Sequence, residues 1–374
     1  MPNDEIEQLR LAITHQVFIH VLDGELTNAP LEDPTHVLDI GTGTGDWAIR
    51  MAEVYPKCEV VGTDISAIAE TSSVPMNVFF EIEDAEDWDR PPDSYDLIHM
   101  RYLDGSFRDW SFMYESVFYS TKPGGWIEVM DFDTPDAFSR FATHFSPTSP
   151  VHEIFRDMLE ASNKAGRECG VKHLNPMLLL EAGFVDVRVT EYPIPLTVAE
   201  HTAGKIWLIS CLDAFEAMCL RLLIEQMGWD PDECKLACEH AARELAELAK
   251  NPEVSKGLFI VLRSLVGRKP LHGPASGALS AQVIEEEEEA MEGIETTDSG
   301  TTRFAPMETK LPERLLPTTA EEAMPQPMMM ETVMEETTHN GMDTQIRGDG
   351  LERSDTANTA IRDYGNTTEN RNVG

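Results

Sequence analysis

The alternation of short apolar strands with amphipathic helices in this chain calls for a doubly wound α/β sheet. That alternation runs from residue 36 to residue 130, the pattern of parallel strands joined by crossover helices. Three glycines at alternate positions, Gly41, Gly43 and Gly45, follow the first strand and lead straight into a helix. Two acids, Asp64 and Asp84, close the second and third strands, at the edge where ligands of such sheets bind.

The elements follow in order. Over residues 4–22, Ile6, Leu9, Ile13, Val17, Phe18, Val21 and Leu22 recur at three and four, predicting an amphipathic helix that stops before Gly24. Strands are expected over 36–40, 59–63, 78–82, 95–100 and 126–130, with helices over 46–54 and 109–120. The turn Lys122-Pro123-Gly124-Gly125 introduces the fifth strand. The second half is more helical, with helices over 151–166 and 175–182, a strand over 184–189, and long helices over 203–227 and 230–250. The first long helix is apolar on most sides and must be buried or packed over something. Pro231 suits the first turn of the second. Strand character returns over 258–266.

From Pro270 the pattern dissolves. That stretch holds 21 acids against 7 bases and only two aromatics, Phe304 and Tyr364. With its acidic run at 285–289 and Met-rich 325–330, it cannot bury enough surface to offset ordering entropy. A disordered tail is expected, with a conditional binding segment at 324–334 as the other reading. The chain divides into an N-terminal helical cap (1–30), an α/β domain (31–269) and an acidic tail (270–374).

Charge and cysteine usage narrow the function. The chain of 374 residues has a formal net charge of −38, most of it before residue 270. An acidic surface repels phosphates, which argues against nucleic acid as the expected partner. The six cysteines form no CxxC pair, and Cys234 and Cys238 stand four apart in an expected helix. They read as buried reduced thiols, not metal ligands. Asp4, Glu5 and Glu7 precede the first apolar run, which is wrong for a secretory signal. No apolar run reaches membrane-spanning length. The expected location is intracellular, cytoplasmic and/or nuclear.

The glycine loop carries the chemistry. Gly41 permits the tight turn, Gly43 lets the main chain touch a ligand, and Gly45 allows close helix–strand packing. A dinucleotide loop places its third glycine three residues after the second, where this chain has Asp46. An acid there opposes a pyrophosphate, so a cofactor with no phosphate and a positive sulfonium fits better. Asp46 also reads as an ordinary first-turn acid. Asp64 can accept both ribose hydroxyl protons, or serve only as a helix cap. Asp84 can accept from an adenine amine while the Ala85 amide meets the ring, or be one loop acid among several. Asp39 can order the loop and the cofactor's amino group.

These residues resemble a known family. Asp39-Ile40-Gly41-Thr42-Gly43-Thr44-Gly45-Asp46-Trp47-Ala48 resembles the fungal LaeA-like methyltransferases. So do Asp23-Gly24, Gly62-Thr63-Asp64-Ile65-Ser66, Asp84-Ala85-Glu86-Asp87-Trp88 and His99-Met100-Arg101. Asp109-Trp110, Lys122-Pro123-Gly124-Gly125-Trp126-Ile127-Glu128 and Gly267-Arg268-Lys269-Pro270 complete the match, over about residues 5–270. Asp46, Tyr102 and Asp104 depart from the family's usual residues. The resemblance implies a Rossmann-like seven-stranded methyltransferase sheet with its last strand antiparallel, S-adenosyl-L-methionine as cofactor, and a helical insertion over residues 197–253. It also implies a place in fungal secondary metabolism, as a pathway tailoring enzyme or as a regulator with a velvet-type protein partner.

Methyl transfer needs positioning more than acid–base work. His99, Arg101 and Tyr102, ending the fourth strand, are the candidates beside a small-molecule or protein methyl acceptor. His99 also reads as a core histidine, and Arg101 as a partner of Asp104 or Asp131. His15 and His20 would close over the cofactor if the first helix is a lid, though His20 also reads as a surface residue. Glu128 and Asp131 are further candidate bases. Two other functions stay open: a cofactor-binding scaffold without turnover, and a nucleotide-dependent oxidoreductase, which the glycine spacing opposes.

Overall fold

The computed structural model describes residues 4–69 and 71–271; the expected tail lies, past Leu271, outside the described residues. Seven strands form one sheet: β1 (His36–Ile40), β2 (Glu59–Asp64), β3 (Val78–Ile82), β4 (Tyr95–Arg101), β5 (Thr121–Phe132), β6 (Val185–Pro195) and β7 (Phe259–Arg268). Their order is β3-β2-β1-β4-β5-β7-β6. The first five pair in parallel, and β7 runs antiparallel between β5 and β6. The doubly wound sheet and its antiparallel last strand are therefore both present. Because β1, β2, β4 and β5 run the same way, their carboxyl ends share one edge.

Helix α2 (Asp46–Val54) covers one face of the sheet, burying Trp47, Ala48, Met51 and Ala52 against Val37, Val60 and Leu97. Helices α3 (Trp110–Ser120) and α6 (Pro176–Ala182) cover the other, through Met113, Tyr114, Val117 and Leu179. The larger aliphatic side chains among them, such as Met51, Met113, Val117 and Leu179, each contribute about 1.5–3 kcal/mol when taken from water. The β1 residues 37–40 are all buried, as expected of a strand sandwiched between helices.

A third cluster rises over the carboxyl edge. It joins α1 (Glu5–Val21), α4 (Thr134–Phe141), α5 (Pro150–Lys164), α7 (Ala203–Leu222) and α8 (Pro231–Lys250) to Met130 and Phe132 of β5. The long apolar segment is thus packed over the sheet end, with its last turn, Leu223–Met227, wound as a π-helix. The short α9 (Pro252–Ser255) leads into β7. Cys234 and Cys238 are buried in α8, and all six cysteines are free thiols.

Two expectations are corrected, and one helix was not foreseen. The apolar stripe of α1 does not hold in its first half: Ile6 is 72% and Leu9 63% exposed, while Glu7, Arg10, Thr14 and His15 are buried. A charged network, described below, replaces the hydrophobic contact there. Strand β5 begins at Thr121, so the Lys-Pro-Gly-Gly turn interrupts it as an irregularity, with a register shift between Tyr95 and Leu97. Helix α4 falls in a stretch to which the sequence pattern assigns no element, and the side chain of its N-cap residue, Asp133, makes no capping bond. Asp133 instead accepts from the Val261 N–H (2.7 Å) and the Arg140 guanidinium (2.7 Å), tying the helix to β7.

Candidate functional site

The site grows from the end of β1. The chain leaves Ile40 through Gly41, Gly43 and Gly45, with φ of 69°, 57° and 85°, conformations that disfavour a side chain. A Cβ on Gly45 would stand 2.5 Å from the Phe80 ring, so α2 approaches β3 only with glycine at that point. A Cβ on Gly43 would meet nothing closer than Leu11 of α1, at 3.6 Å. Packing alone does not demand glycine at Gly43; the main chain is simply bare beneath α1.

Hydrogen bonds fasten this turn to β2. The Thr42 N–H donates to the Thr63 carbonyl (2.9 Å), and the Gly43 N–H to the Asp64 carboxylate (3.0 Å). The other Asp64 oxygen accepts from the Ser66 N–H (2.9 Å). The Thr42 hydroxyl donates to Asp39 (2.7 Å) and the Thr44 hydroxyl to Asp46 (2.5 Å). Asp84 is exposed and accepts from the Glu86 N–H (3.0 Å), holding Ala85 between them. Glu86 in turn accepts from the Arg108 N–H (2.8 Å) and the Arg167 guanidinium (2.6 Å). The loop after β3 is therefore anchored to the segment after β4.

Beneath the turn lies a buried dyad. His99 on β4 faces Asp39 on β1, with Nδ1 2.7 Å from the carboxylate. Its ring stacks flat on the Trp47 indole, centroids 3.7 Å apart. Trp47 donates from Nε1 to the Leu26 carbonyl (2.8 Å). His99 is wholly buried, and its Nε2 has no hydrogen-bond partner among the described residues.

Past His99, the end of β4 meets α1. Arg101 donates to His15 Nδ1 (2.7 Å) and lies 4.9 Å over the Phe18 ring, not beside Asp104 or Asp131. Burial brings the Arg101 guanidinium down to about 10. Burial and the facing Arg101 together push His15 down to about 4. Tyr102 takes a left-handed φ of 58°, a strained conformation for a residue with a bulky side chain. Its hydroxyl accepts from Arg10 (3.0 Å) and donates to Met218 Sδ (3.6 Å), linking α1 to α7. Arg10 is itself gripped by both Glu7 oxygens at 2.7 Å. His20, by contrast, is exposed.

A second group gathers at the end of β5. His173, in a 3-10 turn (Val171–Leu174), places Nε2 2.9 Å from Asp131 and Nδ1 3.0 Å from the Gly170 carbonyl. Its ring stacks on Trp110, centroids 4.2 Å apart. Burial alone would lower the His173 pKa, but the Asp131 carboxylate raises it. Asp104 accepts from the Gly170 N–H (2.6 Å), and burial with the nearby Asp131 charge pushes it up to about 7. Leu103, preceding Asp104, is the side chain a Cβ on Gly41 would strike, so this group adjoins the glycine turn. Glu128 is engaged elsewhere: it accepts from Thr27, the Asn28 N–H (3.0 Å) and Ser264 (2.8 Å).

The structure thus brings Asp39, Gly41, Gly43, Gly45, Asp64, His99 and Arg101 to one edge, with Asp84 and Ala85 on the adjoining loop. Sequence reasoning missed His173, Arg10 and Glu7. Nothing local marks His173, whose carboxylate lies 42 positions away. Glu7 and Arg10 read as an ordinary surface pair at i and i+3.

A parallel sheet ending in an antiparallel strand, with a glycine turn tied to an acid after β2, defines a methyltransferase of the Rossmann-like class. A family model described as "Methyltransferase domain" matches residues 13–177. Curated relatives specify the group. Methyltransferase pytC of Aspergillus terreus is 34% identical over 62% of this chain and 73% of its own length. The secondary metabolism regulator LAE1 of Cochliobolus heterostrophus is 32% identical over 61% and 78%, and the probable methyltransferase tdiE of Emericella nidulans is 32% identical over 64% and 77%. The chain belongs to the fungal LaeA-like family of S-adenosylmethionine-dependent methyltransferases. Among solved structures, coclaurine N-methyltransferase bound to N-methylheliamine and SAH aligns over 69% of this chain and 73% of that one, at 16% identity and a TM-score of 0.42. No helix among the described residues is long and apolar enough to cross a membrane.

Proposed function

We propose that the cofactor is held by Asp39, Gly41, Gly43, Gly45, Asp64, Asp84 and Ala85, and that the methyl acceptor meets it at the ends of β4 and β5. The observation carrying this reading is the bare main chain at Gly43, whose N–H is tied to Asp64 at the end of β2. The donor set suits S-adenosylmethionine. Four carboxylates (Asp39, Asp46, Asp64 and Asp84) stand on the turn and its neighbouring strand ends, where a pyrophosphate would be repelled. A ligand with a ribose diol, a cationic sulfur and an ammonium finds acceptors there. Residues 1–30 would form the cap and residues 31–269 the catalytic domain.

The bound cofactor supplies a methyl group activated by its sulfonium leaving group. The chain's part is to orient and to exclude water. Asp64 would accept from the ribose hydroxyls, Asp84 from the adenine amine, and the Ala85 amide would meet the ring. His99 fixes the Asp39 carboxylate from below and is a positioning residue. Helix α1, lying over Gly43, closes the crevice from above. Asp104, whose raised pKa keeps it partly protonated near neutrality, is the acid best placed to take a proton from an acceptor that must lose one.

The acceptor is a small molecule or a protein, and the setting is fungal secondary metabolism, as tailoring enzyme or regulator in the cytoplasm or nucleus. A second reading, a cofactor-binding partner without turnover in a regulatory complex, draws on His99, Arg101 and Tyr102. All three are already engaged by protein groups. Incubation with methyl-labelled S-adenosylmethionine and fractionated fungal extract separates the two. Label transfer supports the enzyme; tight cofactor binding with no transfer to any fraction supports the partner. Mass spectrometry of the denatured purified protein tests the class, since a released nicotinamide dinucleotide would contradict both.

A further inference from the structure

Two arginines on neighbouring elements, Arg10 buried and Arg101 half-buried, are treated very differently. Arg10 has three of its N–H groups taken, two by the Glu7 carboxylate and one by the Tyr102 hydroxyl. Arg101 hydrogen-bonds only to the neutral ring of His15, and no carboxylate forms an ion pair with it among the described residues. Asp39, Asp46 and Glu128 act on it only through space. A guanidinium offers five N–H donors, and this half-buried one has no anion of the described residues in hydrogen-bond reach. In a chain this acidic, the missing counter-charge is not for want of acids.

The geometry also fixes the histidine. Arg101 can only donate, so His15 Nδ1 is an acceptor and its proton sits on Nε2. That N–H has no acceptor among the described residues. The two donors converge near the glycine turn. Met100, preceding Arg101, pairs with Ile40, which precedes Gly41. Leu11, one turn before His15 on α1, is the residue over Gly43.

We infer that Arg101 and His15 form a carboxylate-binding subsite inside the cofactor crevice. The planar guanidinium takes one or both carboxylate oxygens, as such forks do, and the His15 Nε2–H donates a further bond. The carboxylate comes from one of two sources, the amino-acid end of the cofactor or a carboxylate on the methyl acceptor. This inference rests on the cofactor reading above.

Calorimetry on the full chain tests it with three probes: S-adenosylhomocysteine, its decarboxylated analogue 5′-S-(3-aminopropyl)-5′-thioadenosine, and benzoate added to the S-adenosylhomocysteine complex. If the cofactor supplies the carboxylate, the wild type prefers S-adenosylhomocysteine to the analogue by at least about tenfold. Arg101→Gln then removes that preference by weakening only the carboxylated ligand. If the acceptor supplies it, Arg101→Gln leaves the preference alone and abolishes the benzoate heat. His15→Phe, which keeps a ring but removes the Nε2–H, shifts the same quantity in the same direction by a smaller factor and serves if Arg101→Gln does not fold. Nucleoside binding with neither ratio nor benzoate heat sensitive to these changes overturns the subsite while leaving the cofactor reading intact. Failure of the wild type to bind either nucleoside overturns both.

Discussion

His15 and His173 stand over the same edge of the sheet, both buried, and the protein pulls their pKa values in opposite directions. His15 faces the Arg101 guanidinium and is driven down to about 4. His173 faces the Asp131 carboxylate and is raised. Burial acts against the charged form in both, so the partner's sign decides the outcome. The region between α1 and β4 is therefore built around an unneutralised cation, and the region between β5 and the 3-10 turn around a self-contained acid–histidine pair. One invites an anion; the other stores a proton.

The contrast breaks most easily at Asp131. Truncating it to alanine leaves His173 without its carboxylate in a buried site, and urea denaturation should record a loss of about 3–5 kcal/mol. His15→Gln keeps an acceptor for Arg101, so the same measurement should record about 1 kcal/mol, the worth of one altered hydrogen bond. Equal losses would mean that the two sites are not organised by their partners' charge.

pH sharpens the comparison further. His173, with a raised folded value, contributes stability that is full below its unfolded value of roughly 6.5 and fades as pH rises through the folded value. The gap between wild type and His173→Gln should therefore be wide at pH 6 and narrow progressively as pH rises above it. His15 behaves oppositely: its contribution is present above roughly 6.5 and lost as pH falls toward about 4. The gap to His15→Gln should shrink as pH falls. Gaps that run in parallel would contradict the assignment of partners.

The smallest effect is expected at Asp104. With its value raised to about 7, the folded state holds a proton there that the unfolded chain has released, so the carboxylate costs stability as pH rises from about 4 to 7. Asp104→Asn should raise the melting midpoint at pH 8 by on the order of 2–4 °C and give no gain at pH 4. A fall at pH 8 would show that the ionised form is stabilised by a contact absent from this account.

The two regions also differ in how far the chain announces them. The glycine turn is encoded within a few residues: Gly41, Gly43 and Gly45 follow a buried strand, and Asp64 closes the next one. Strand and helix periodicity located the sheet for the same local reason. The β4–β5 region depends on groups that meet only through the fold. His173 reaches Asp131 across 42 positions and Arg101 reaches His15 across 86. On α1, the apolar periodicity of Ile6 and Leu9 pointed to the wrong face, because a buried Glu7–Arg10 pair satisfied by Tyr102 outweighs two apolar side chains. No spacing rule announces a charged pair that a distant tyrosine will cover. Helix α4 was hidden likewise, its capping acid diverted to β7.

The central claim is that the main chain at Gly43 and the carboxylate of Asp64 grip the cofactor. Gly43→Ala is a discriminating probe, since the added Cβ meets only Leu11 at 3.6 Å and its left-handed φ adds strain of roughly 1–2 kcal/mol. Titration of S-adenosylhomocysteine into folded Gly43→Ala and Asp64→Ala should each show at least about a tenfold loss of affinity. Affinity unchanged from the wild type in both folded variants would contradict the account.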